Sequence, residues 1–112
     1  MTEKMSHDQY LESVRLEVVE TARAMLDGQL SYLLGARKLD SLRHEASVND
    51  DDADFMVFVA IASDTDDYPL GSVREFWDKQ ALEKLQPEID AAERWAKEQS
   101  MSTCEKLVQR FS

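Results

Sequence analysis

Apolar residues recur at helical intervals along most of this chain. Leu11, Val14, Val18, Ala22 and Met25 follow one another at steps of three and four, which predicts an amphipathic helix over His7–Leu26. Glu12, Glu17 and Glu20 fall off that stripe. Ser6 and Gln9 have capping-box spacing at the start, and Asp27-Gly28 is a stop, with Gly28 suited to the left-handed position after a helix. A second stripe of Tyr32, Gly35, Leu39, Leu42 and Ala46 predicts a helix from about Leu30 to Ala46. Gly35 lies inside this stripe, where glycine costs about 1 kcal/mol relative to alanine. Either close approach by another helix or a tolerated weak spot accounts for it.

The third segment admits two readings. Asn49-Asp50-Asp51-Asp52-Ala53-Asp54 leads into eight apolar residues, Phe55–Ala62. A run rich in Val, Ile and Phe suits a buried strand. Carboxylates ahead of an apolar run also suit a helix N-terminus, because they complement the positive end of its dipole. No other segment alternates like a strand, so a lone strand lacks a pairing partner. We therefore favour a buried helix from about Asp51 to Ser63.

Ser63–Gly71 reads as a loop, with Asp side chains, Pro69 and Gly71 favouring turns. Ser72 and Glu75 repeat the capping-box spacing and predict a short helix through Val73, Phe76 and Trp77, with Asp78 as the next cap. From Lys79 to Phe111 the pattern changes twice. Leu82, Leu85, Ile89, Ala92 and Ala96 make one stripe, and Pro87 within it predicts a kink or a new start. Cys104, Val108 and Phe111 make another, and the phase slips near Gln99–Thr103 where Ser102 and Glu105 have cap spacing. Two helices, Gln86–Gln99 and Thr103–Arg110, nearly collinear, are expected. The predicted fold is a single all-α domain, a bundle of five or six helices. The alternative is α+β with Phe55–Ala62 as a strand. With 112 residues, three Gly and two Pro, one domain fits and a turn-rich sandwich or barrel does not.

Charge adds a feature that periodicity lacks. The net charge is −10, and eight acidic residues with no Lys or Arg lie between Glu45 and Val73. The rest of the chain holds 15 acidic and 13 basic residues, so most of the imbalance sits in that window. Such a chain repels nucleic-acid phosphates and anionic lipid heads, and favours a basic protein partner. The candidate partner-binding residues are Asp50, Asp51, Asp52, Asp54, Asp64, Asp66, Asp67 and Tyr68, an aromatic set among carboxylates. Helix capping and solvated loops explain the same window without any partner. Asp50, Asp52 and Asp54 have the spacing that opens a calcium loop. Phe55 and Ile61 occupy the positions where such a loop needs Gly and a bidentate Glu.

Motifs for catalysis or cofactors are lacking. No glycine-rich phosphate loop occurs, His44-Glu45 has no second His, and His7 and His44 with one Cys make a poor zinc set. Cys104 cannot form an internal disulfide, and its stripe position suits a small core residue. No metal, cofactor or catalytic residue is expected. Trp77 and Trp95 read as half-buried anchors or as partner-facing residues. The polar start Met1–Met5 does not match a signal peptide, and the longest apolar run is too short to span a membrane. A cytoplasmic protein is expected. The pattern leaves its oligomeric state open.

The stretch from Ile61 to Trp77, Ile-Ala-Ser-Asp-Thr-Asp-Asp-Tyr-Pro-Leu-Gly-Ser-Val-Arg-Glu-Phe-Trp, is similar to a segment of small bacterial proteins with no assigned function. Ala92-Glu93 and Cys104–Phe111 look similar as well. That resemblance carries no active-site residues across. In size and charge the chain also resembles bacterial immunity proteins, which neutralise basic nuclease-type toxins. The resemblance implies a non-enzymatic protein that binds a basic toxin through its acidic surface. A small metal- or ligand-binding helical domain or enzyme using carboxylates, and a dimerising module, are the alternatives.

Overall fold

The computed structural model describes residues 6–112, and the Met1–Met5 reading lies outside them. Among the described residues the chain is all helical: α1 (His7–Leu26), α2 (Tyr32–Leu42), α3 (Ala53–Asp64), a short 3-10 helix η1 (Gly71–Phe76) and α4 (Lys79–Phe111). The apolar run Phe55–Ala62 is helical, so the strand alternative falls.

Caps set most boundaries. The Ser6 hydroxyl accepts from the Gln9 N–H, and the Gln9 side chain accepts from the Ser6 N–H, both at 3.1 Å. After α1, Gly28 takes φ +78°. Ser31 caps α2, Asp52 caps α3 and Asp78 caps α4. The α2 N-terminus has a further partner from far along the chain: the Glu93 carboxylate accepts the Tyr32 N–H at 2.7 and 2.9 Å. This satisfies a donor that has no partner within its helix. α2 ends at Leu42, earlier than the periodicity predicts, and a turn continues to Ser47, which has φ 58°. The turn still buries Ala46, so the stripe outlasts the helix.

α1 and α4 run antiparallel, with Arg15 beside Phe111 and Met25 beside Cys104. α2 and α3 form a second antiparallel pair, with Arg43 reaching Asp50 at one end and Arg37 reaching Thr65 at the other. The core lies between these pairs. Val18, Ala22 and Met25 of α1 meet Leu33 and Leu39 of α2, Phe55, Phe58 and Ile61 of α3, and Cys104 and Leu107 of α4. Each large apolar side chain buried this way contributes about 1.5–3 kcal/mol relative to exposure. α3 is less enclosed than the sequence reading expects, since Ala60 is exposed and Val57 and Val59 are half-buried.

At Gly35 of α2 the Met25 side chain of α1 fills the space that a side chain would need. A methyl group built there would lie 2.3 Å from Met25 Sδ and within 2.7 Å of the neighbouring Cγ and Cε. Met25 is fully buried, so it has little room to yield. Close approach, rather than a tolerated weak spot, explains this glycine.

Two expectations for the second half need correction. η1 starts after Leu70 without a side-chain cap, so the Ser72–Glu75 spacing is not a capping box. The last segment is one helix of 33 residues, not two. Pro87 sits on its exposed side and does not end it. The supposed phase slip disappears because small polar residues continue the buried stripe: Ala96, Ser100, Thr103, Cys104 and Leu107 are all buried. The Ser100 hydroxyl returns its hydrogen bond to the Ala96 carbonyl at 2.6 Å, so it can occupy a core position at little cost. At about 1.5 Å per residue α4 is about 50 Å long, matching the longest dimension of the fold, 50 Å.

Candidate protein-binding surface

The acidic window is not one patch. α3 separates its two clusters, and 12 helical residues place them roughly 18 Å apart. The two ends differ in chemistry.

At the N-terminal end, two of the four carboxylates, Asp52 and Asp54, are occupied by the fold. Asp52 Oδ1 accepts from the N–H groups of Asp54 and Phe55, capping α3. Arg110 of α4 then grips the same carboxylate with two nitrogens, at 2.9 Å to Oδ1 and 2.6 Å to Oδ2, and reaches Asp54 at 3.1 Å. These hydrogen bonds hold the Asp52 carboxyl below its ordinary value of 3.8, with the guanidinium charge and the two backbone donors assisting against partial burial. Next to this clamp, Phe111 packs on Phe55 with centroids 6.2 Å apart and lies under the guanidinium groups of Arg15 and Arg110. Asp52 and Asp54 therefore fasten the end of α4 to the start of α3. Asp50 and Asp51 are exposed in the preceding turn, and the Asp50 carbonyl accepts from Arg43.

At the C-terminal end, Asp64, Asp66 and Asp67 are exposed and form no ion pair among the described residues. Here helix electrostatics argue the opposite way. The C-terminus of a helix carries the negative end of its dipole, so three carboxylates raise the energy of the fold there. Their loop is nonetheless held firmly. Arg37 donates to the carbonyls of Thr65 (2.6 Å) and Tyr68 (3.1 Å), the Thr65 hydroxyl bonds to the Ile61 carbonyl at 2.7 Å, and Pro69 is buried. Arg74 does not pair with these aspartates. It donates to the Pro69 carbonyl and to Gln86 Oε1 at 2.8 Å.

Tyr68 is half-buried and packs against the core, rather than standing free in the loop. What remains of its ring lines an open groove with Trp77 and the α4 residues Ala81 and Leu85. Sequence reasoning assigned no recognition role to Val73 or Phe76. Both are exposed, Phe76 by 86%. The available signal was the adjacent pair Phe76-Trp77 between Glu75 and Asp78, outside any long helical stripe.

No three His, Cys, Asp or Glu side chains group to hold a metal among the described residues. Cys104 is fully buried, and burial pushes its thiol up to about 12, far from a reactive thiolate. No helix among the described residues is long and apolar enough to cross a membrane. Comparison with protein-family models, curated proteins and solved structures finds no match.

Proposed function

We propose that this is a non-enzymatic binding protein that docks a basic protein through the loop carrying Asp64, Asp66, Asp67 and Tyr68. One observation carries the reading: among the described residues these three carboxylates form no ion pair, and they lie at the end of α3 where they oppose the helix dipole, on a loop anchored by Arg37. Capping and pairing with Arg110 account for Asp52, and pairing with Arg110 for Asp54, but neither accounts for these. Fixed charge of one sign attracts an oppositely charged surface and speeds encounter. Asp50 and Asp51 add to the long-range field, while Asp52 and Asp54 act mainly within the fold. In its most specific form the protein is an immunity protein of the cytoplasm, where a single thiol suits the reducing environment, and its partner is a basic nuclease-type toxin.

The test is titration of the basic product of an adjacent toxin-like reading frame against wild type and Asp64→Asn/Asp66→Asn/Asp67→Asn. Binding should weaken steeply with salt in the wild type and weakly in the variant. Affinity that survives both the substitutions and added salt would sink the reading. Protection of cells expressing the toxin, lost with the same substitutions, tests the immunity form.

A further inference from the structure

The acidic loop supplies charge, and the most exposed large apolar side chain among the described residues, Phe76, lies just beyond it. η1 contains no buried residue. Val73, Phe76 and Trp77 are 46%, 86% and 42% exposed, within a stretch of five residues. Isolated exposed apolar side chains are ordinary, but three within five residues, two of them aromatic, point to an interaction surface. The patch continues onto α4, where no side chain before Ile89 is buried and Ala81, Leu82 and Leu85 are only half covered. Ala81 and Leu85 are one turn apart on the same face. Together with Tyr68 and Trp77 they form an open groove of about 590 Å³. A half-covered helix face flanked by aromatic rings fits an apolar side chain presented by a second helix.

The rim decides what that helix carries. Between Ser63 and Asp90 there are eight acidic and three basic residues, and Arg74 among the latter is engaged with Pro69 and Gln86. Asp67 and Glu88 border the groove, and Lys84 is its one cation among the described residues. A second copy of this chain would bring the same acidic rim against itself across a two-fold contact, which like charges oppose. Anionic membrane surfaces and nucleic acids meet the same repulsion.

We propose that η1 and the first turns of α4 form the apolar half of the docking surface, which receives a basic amphipathic helix of the partner. Phe76 and Trp77 clasp its apolar face, and Asp64, Asp66 and Asp67 pair with its cations. This rests on the function proposed above and names the partner's chemistry.

The probe is a synthetic Leu/Lys amphipathic helix of about 18 residues, five turns, with a Ser/Lys peptide lacking the apolar face and a Leu/Glu peptide as controls. Amide chemical shifts of the labelled protein map the site. The Leu/Lys peptide should bind saturably and perturb Tyr68, Phe76, Trp77 and Leu85. The two controls should not. Phe76→Ser, at a position too exposed to unfold the protein, should weaken binding roughly tenfold, as loss of an interface anchor does. Trp77→Ala should act in the same direction with an unchanged melting temperature. Perturbation elsewhere, no saturable binding, or equal binding of the Ser/Lys peptide overturns the proposal. If Phe76→Ser has no effect while the triple Asn variant loses salt-sensitive binding, the aromatic half fails and the acidic docking function stands. If only Phe76→Ser matters and the Leu/Glu peptide binds equally, the electrostatic function fails, and the basic-partner assignment with it. Concentration-dependent dimers abolished by Phe76→Ser assign the surface to a second copy, and vesicle binding lost in that variant assigns it to lipid. Either result overturns the proposal.

Discussion

Replacing Asp52 separates two roles that one carboxylate combines. It caps α3 through the Asp54 and Phe55 N–H groups and binds Arg110 with both oxygens. Asparagine caps about as well as aspartate but cannot form an ion pair with arginine or accept from it with two oxygens, whereas alanine neither caps nor pairs. Losing a cap costs about 1 kcal/mol. Exposed ion pairs contribute about 0.2–1 kcal/mol, and two-pronged arginine–carboxylate geometry lies at the strong end. The Asp52 side chain is 10% exposed and that of Arg110 36%, so partial screening holds the pair near about 1 kcal/mol. Asp52→Asn should therefore cost about 1 kcal/mol, and Asp52→Ala about 2 kcal/mol, or roughly 8 °C of melting temperature for a domain of this size. Arg110→Met keeps much of the stem's packing while removing the charge. A cycle of Asp52→Asn and Arg110→Met, read by urea unfolding, should give a coupling of about 1 kcal/mol.

The pH arm follows from the sign of the shift. Pairing depresses the folded-state pKa of Asp52 below 3.8, so its stabilisation is complete above that value. It is lost as pH falls from there through the lower folded-state value. The stability gap between wild type and Asp52→Asn should be full at neutral pH and close in that acidic window. The reasoning fails if the two variants cost the same, if the coupling is below about 0.3 kcal/mol, or if the gap persists in acid.

Gly35→Ala should destabilise by about 1 kcal/mol in urea unfolding, because overpacking against Met25 outweighs the gain in helix propensity. A variant as stable as wild type would show that Met25 moves freely aside. Cys104 should resist an aromatic disulfide reagent at pH 8 in the native protein and react fully in urea, since its thiol is fully buried and titrates at about 12. Rapid native labelling would contradict that burial.

The helices of the first half are legible in the sequence because their causes are local. Apolar spacing, the Ser6 cap, Gly28 and the Asp residues ahead of Phe55 act within a few residues of the structure they specify. The second half misleads where identity and environment diverge. Ser100 and Thr103 read as polar, but intrahelical bonding by Ser100 and the small size of both side chains let them continue a buried stripe. Phe76 and Val73 read as part of an ordinary short helix, yet both are exposed, Phe76 almost entirely.

Counting charges identifies the acidic window from sequence alone, and elementary electrostatics states what kind of molecule it attracts. It does not show which carboxylates are free. That depends on Arg110, far along the chain, closing on Asp52 and Asp54 while no cation among the described residues closes on Asp64, Asp66 or Asp67. Local periodicity therefore determined the helices of the first half, and composition located the concentration of acidic charge. Tertiary packing decided which acids the fold consumes, which it leaves for solvent, and that the aromatic pair faces outward, because each outcome depends on residues brought together only when α4 lies across the other helices.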